Sequence, residues 1–179
     1  MRRVLLIVAF LLANLTIWGQ QKYDNEFTQL KYMKVSGKTV EKVGHIVFDG
    51  VDHLTMNYTE PEGDFFIIDD NIVKINMDGK NVEIDANKLN SVGVQRAILL
   101  YCLSGNWQQI ETDYNAESIV TEENGTRTVF IDAKGNKKIT KGGYISVTLT
   151  YRIPDGALLM MILEQKNGII NTYEIKYTN

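Results

Sequence analysis

The chain holds a single cysteine, two prolines and two histidines among 179 residues. One cysteine, Cys102, excludes an internal disulfide, so stability has to come from a packed core. The histidines do not make a metal set. His45 and His53 stand near Asp49 and Asp52, but Asp49, Asp52 and His53 gather at a turn, as polar residues do, and no further Cys or His completes the group. There is no basic excess either: 19 Lys and Arg face 22 Asp and Glu, a net charge of −3. That balance argues against nucleic acid as a partner and against charge-driven attachment to anionic headgroups. No Ser-His-Asp order and no glycine-rich phosphate loop is present. Asp69-Asp70 reads as the start of a turn and Cys102 as a small apolar residue. The expectation is a protein that is not an enzyme and carries no cofactor and no metal.

The long apolar run comes first, from Val4 to Trp18 behind Met1-Arg2-Arg3 and ahead of Gly19 and the polar Gln20-Gln21-Lys22. It is shorter than the roughly 20 residues of a membrane span, and Asn14 and Thr16 interrupt it. It reads as a secretory signal peptide, residues 1–19, cleaved near Gly19. Cys102 lies far from that junction, so no acyl anchor is expected there. The mature chain, 20–179, is then a soluble periplasmic protein, and its roughly 160 residues suffice for one domain.

Most of that domain is written as strand. Leu54, Met56 and Tyr58 alternate with Thr55, Asn57 and Thr59, which gives one apolar and one polar face. Asp78-Gly79 and Asn124-Gly125 mark hairpins, and Pro154-Asp155-Gly156 and Asn167-Gly168 join the last three strands. About eleven strands in a meander result. One interval, Asn87 to Trp107, lacks alternation. There Val94, Ala97, Ile98 and Tyr101 recur at helical spacing, widened by Leu100 and Leu103, and Ser104-Gly105-Asn106 closes the helix. A lone helix inside such a sheet should lie across its concave face as a plug. Gln95 falls on the side of that helix expected to be polar.

The order of these parts resembles the LolA-like family of periplasmic lipoprotein carriers. Phe27-Thr28-Gln29 matches the family's F-T-Q near the first strand. Gly44, Thr59 and Pro61 match its spacing, Asp70-Asn71 stands at its Asp-Gly hairpin, and Ile145 to Tyr177, with Glu164-Gln165, resembles its closing meander. The resemblance implies a mainly β fold with a helical plug, an incomplete, half-open antiparallel β-barrel of about eleven strands. It also implies an apolar cavity for the acyl chains of an outer-membrane lipoprotein, an inner-membrane donor complex and an outer-membrane acceptor. The protein is expected to be a monomer. The chain departs from the family pattern at Gly50 and Val51, where the family carries a basic residue and Pro, and at Met56 in place of Trp. Little precedes Phe27 where an N-terminal helix is usual, and the sequence ends at Asn179 without the family's further strand and tail. The missing Arg helps hold the empty carrier closed in the family, so closure here is expected to rest on apolar packing of the plug alone.

The expected ligand-binding face comprises Leu54, Met56, Tyr58, Phe66, Ile75, Met77, Ile98, Tyr101, Val147, Leu149, Tyr151, Met160 and Ile162. Methionines suit it, because thioether chains repack around irregular cargo. Each buried CH₂ of an acyl chain contributes about 0.8 kcal/mol. A chain of roughly 16 carbons would then bind tightly enough that release needs an opposing term, such as a helix that reoccupies the cavity. Two other readings stay open: a binding protein for a different hydrophobic ligand, such as a glycolipid, and an interaction domain whose cavity is filled by its own side chains.

Overall fold

Residues 21–177 are described by a computed structural model; the expected signal peptide lies outside the described residues. Alternation sets the architecture. Two meanders of hairpins run along the chain and share one antiparallel sheet. The first is β1 (Tyr23–Met33), β2 (Lys38–Phe48), β3 (His53–Glu60), β4 (Glu62–Asp69), β5 (Ile72–Met77) and β6 (Lys80–Asp85). The second is β7 (Ser118–Glu123), β8 (Thr126–Asp132), β9 (Tyr144–Arg152), β10 (Leu158–Gln165) and β11 (Ile169–Lys176). The meanders join where β1 pairs with β11, so the spatial order is β6-β5-β4-β3-β2-β1-β11-β10-β9-β8-β7 and the sheet is not closed. This is the open, eleven-stranded half-barrel that the sequence implies. Asp78-Gly79 and Asn124-Gly125 both take positive φ at each residue, the backbone that a two-residue hairpin turn requires.

Among the described residues three helices pack on one face of the sheet, not one: α1 (Asn90–Leu103), α2 (Gln108–Tyr114) and α3 (Lys137–Lys141). Helix α1 is the expected plug. The two short helices carry too few residues to show a period. The side chain of Asn136 caps α3 by accepting from the Lys138 and Ile139 amides, and α2 ends on Asn115 in the left-handed region, at φ 53°.

The register follows the pattern. Leu54, Met56 and Tyr58 are buried against the helices, while Asn57 and Thr59 are exposed on the other face. Phe27 and Gly44 face each other across β1 and β2, and Gly44 faces Tyr58 across β3. The Phe27 ring lies over Gly44 and meets the Tyr58 ring edge-on, with centroids 5.3 Å apart at 76°. A Cβ on Gly44 would stand 2.4 Å from the Asn57 carbonyl oxygen and 2.8 Å from the Phe27 ring. Gly44→Ala should therefore cost about 1–3 kcal/mol through overpacking, since the nearest obstacle is backbone that cannot rotate away. A urea melt of the variant with an unchanged midpoint would refute this.

Candidate functional site

The two ends of α1 sit differently. Its C-terminal half is sunk in the core: Ile98, Cys102 and Leu103 are wholly buried, and Leu99 and Leu100 nearly so. Two tyrosines hold that end by hydrogen bonds. The Tyr23 hydroxyl donates to the Leu103 carbonyl and the Tyr151 hydroxyl to the Cys102 carbonyl, each at 2.9 Å, supplying acceptor groups that a helix end leaves open with donors. The N-terminal half is pinned on both flanks. Arg96 Nε donates to the Asp70 carbonyl between β4 and β5, and Gln95 Nε2 donates to the Gly142 carbonyl at the end of α3. The expectation that the plug rests on apolar packing alone is thus corrected. Gln95 is also not on a solvent face: it is half-buried and borders the cavity described next.

Between the middle of α1, at Gln95 and Leu99, and the sheet lies a cavity of about 260 Å³. Its apolar wall comes from Met56, Phe66, Met77, Leu99, Leu163 and Ile169, and the rings of Tyr58, Tyr144 and Tyr173 extend it. Of the thirteen residues expected to meet a ligand, Met56, Tyr58, Phe66 and Met77 border this space. Leu54, Ile98, Val147, Leu149 and Tyr151 are buried in the core away from it. Ile75 and Tyr101 are half-buried and pack against that core, with the Tyr101 hydroxyl donating to Asp113 at 2.7 Å. Met160 and Ile162 lie on the opposite face of the sheet. Their neighbours Met161 and Leu163 are the buried ones, because an irregularity between Leu158 and Met160 resets the alternation of β10.

The cavity also has a polar side that the sequence reading missed. Gln29 Oε1 accepts from the Tyr58 hydroxyl at 2.8 Å, and Gln29 Nε2 donates to Asn171 Oδ1 at 2.9 Å and to the Tyr173 hydroxyl at 3.2 Å. Beside this network, Lys42 and Asp64 form an ion pair of 2.6 Å, with side chains 12% and 5% exposed. Lys42 Nζ stands 5.4 Å from the Tyr58 ring centroid, and Asp64 also accepts from the Asp78 amide at 3.0 Å. The hydrogen bond from the Lys42 ammonium, aided by that amide, holds the Asp64 carboxyl below the usual carboxylate range. A signal for the pair was present: Asp64 shares parity with Phe66 and Ile68, and Lys42 with Gly44, Ile46 and Phe48, so both had to face inward.

Elsewhere, Asp49, Asp52 and His53 bring one ligand atom each within 4.8 Å of one another. Asp49 Oδ1 accepts from the amides of Val51, Asp52 and His53 and closes the β2–β3 turn. His53 lies beside Asp49, Asp52 and Asp69, which together favour its protonated form, the hydrogen bond to Asp52 foremost. His45 pairs separately with Asp24. Burial pushes the Cys102 thiol far up, so it stays protonated among apolar neighbours. Among the described residues, no helix is long and apolar enough to cross a membrane.

What the fold and site define is an open half-barrel with a part-apolar, part-polar cavity beneath its principal helix. No family model matches the chain, and no curated protein does. Among solved structures it is similar to a LolA superfamily protein from Nitrosomonas europaea, with 9% identity over 88% of this chain and 85% of that one, at a TM-score of 0.41. It is also similar to a DUF1329 family protein from Desulfovibrio piger, with 11% identity over 94% and 88% and a TM-score of 0.41. A third is the Mycobacterium tuberculosis lipoprotein LppX, with 10% identity over 87% and 89% and a TM-score of 0.36. Likeness at that level says nothing of what this chain binds.

Proposed function

We propose that the protein is a binding and carrier protein for an amphiphile, and not an enzyme: an acyl chain enters between α1 and the inner face of the sheet. The observation that carries this reading is the cavity beside Gln95 and Leu99, walled by flexible methionines and aromatic rings and edged by polar groups. A sheet with an apolar inner face and no matching second sheet needs a cover, and here α1, tied at mid-helix by Gln95 and Arg96 and at its C-terminal end by Tyr23 and Tyr151, provides one. At about 260 Å³ the space falls just short of the roughly 300–1,000 Å³ usual for small-ligand sites. The closed form thus has room for part of a chain, and the rest requires α1 to move. The cargo we favour is the acyl portion of a lipoprotein in the periplasm, received from an inner-membrane donor and delivered to an outer-membrane acceptor. The sequence supports that choice through the signal peptide expected at residues 1–19 and the order of motifs from Phe27 to Tyr177.

Native mass spectrometry of protein taken from the periplasm, followed by lipid extraction, tests the proposal. Co-purifying acylated protein is the expected result. Free lipid alone would shift the reading to a carrier of another hydrophobic ligand, and an empty protein that also refuses added lipid would leave only an interaction domain.

A further inference from the structure

The polar groups around the cavity are unevenly satisfied. Gln29 is engaged through both ends of its amide. Asn171, 7% exposed, accepts from Gln29 through Oδ1, yet among the described residues its Nδ2 meets no protein acceptor. Tyr144, equally buried, offers a hydroxyl proton to no protein group. The Tyr173 hydroxyl accepts from Gln29 but has no acceptor for its own proton. All three side chains border the cavity from β9 and β11, and Tyr173 lies within electrostatic reach of Tyr144. Among the described residues no buried side-chain polar atom lacks a partner, so these donors open onto the cavity, and a ligand that displaces the water there has to supply an acceptor in its place. Charged groups of both signs stand nearby. Lys42 is neutralised by Asp64, and Lys31 borders the cavity together with the oppositely charged Asp78.

Resting on the reading that the cavity takes an acyl chain, we propose that Asn171, Tyr144 and Tyr173 form the subsite for the first polar group of that chain. The group is a neutral carbonyl, the ester or amide that joins a fatty acyl chain to its head. A carbonyl oxygen brings two lone pairs and no proton, which complements donors that lack acceptors. A bare alkyl chain, or one joined through an ether, leaves these donors without a good partner. The apolar wall then takes the methylenes and the subsite fixes how deep the chain sits.

Calorimetric titration with a lauroylglycerol ester and with its dodecyl ether analogue tests this, because the two share head and chain length and differ in the carbonyl. The ester should bind about tenfold more tightly, the factor expected when donors stripped of water by a ligand do or do not find an acceptor on it. Tyr144→Phe keeps the ring and breaks no internal bond, so it should leave the melting temperature in place and reduce the ester preference. Asn171→Asp keeps the oxygen that Gln29 needs and removes the free donor, with the same loss of preference. Equal affinity for ester and ether in the unaltered protein would mean that water satisfies the donors, and it would overturn the subsite while the carrier reading stands. A preference kept in both variants would overturn it as well. Binding of neither lipid would remove the carrier reading and the subsite with it.

Discussion

Ile98→Ala is expected to lower the stability of the empty protein by about 2–5 kcal/mol and, in the same variant, to tighten binding of a fluorescent fatty acid. Ile98 is wholly buried where α1 enters the core, so truncating it removes apolar contact and leaves a void. If α1 competes with cargo for the concavity, the state that loses most is the closed one. By linkage, affinity can rise by no more than the amount the closed state loses relative to the open one. Gln95 would be a poor control, since it borders the cavity and holds Gly142. The exposed Gln108 on α2 serves instead, and Gln108→Ala should change neither quantity. The measurement pairs a thermal melt with a titration. Stability and affinity falling together would make α1 a wall of the pocket and not its occupant, and release by helix return would be abandoned.

Lys42→Met should cost about 3 kcal/mol at neutral pH. That is the low end for losing one partner of a buried pair, because the cavity gives the lysine end some access to water. The double variant Lys42→Met with Asp64→Leu should recover most of the loss, since the penalty lies in the orphaned carboxylate. The pH dependence follows from the sign of the Asp64 shift. In the unaltered protein its carboxyl is held below the ordinary 3.8. The pair therefore contributes stability that is fully present above that value and fades as pH falls through the lowered one. In Lys42→Met the carboxyl loses its partner, so the deficit should be widest at neutral pH and narrow on acidification. Urea melts across pH 3 to 7 read this directly. A deficit independent of pH would mean that Lys42 acts through its packing against Tyr58 and Met77.

What was legible in the sequence was whatever a single buried face dictates. Leu54, Met56 and Tyr58 could point only inward because Thr55, Asn57 and Thr59 alternate with them. The Asp-Gly and Asn-Gly turns fixed where strands fold back, and α1 stood out by its change of period. Strand β10 was not legible in the same way. Leu158 to Leu163 is apolar on both faces, so parity gave no direction, and the irregularity after Leu158 turned Met161 and Leu163 inward in place of Met160 and Ile162. Helices α2 and α3, of seven and five residues, are too short for a period to emerge. The polar half of the site was readable one residue at a time, from the parity of Gln29, Lys42 and Asp64, but composition invites such residues to be placed in water. Gln29, Lys42 and Asp64 are brought together by β1, β2 and β4 of the first meander, and only the β1–β11 seam sets Asn171 and Tyr173 beside them.

That seam also bears on the order in which the chain folds. Nine of the ten strand pairings in the sheet join strands consecutive in the chain, and hairpins of that kind zip on the microsecond scale. The tenth unites residues as distant as Asn25 and Lys176, 151 positions apart, and it must wait for the chain to bring its two ends together. The meanders should therefore be formed in the rate-limiting step while the seam is still open. Weakening the seam, for example by Asn25→Ala, which removes the bond to the Lys176 carbonyl, should then speed unfolding and leave the refolding rate nearly unchanged. Stopped-flow refolding that slows in step with the lost stability would instead place the seam within the nucleus.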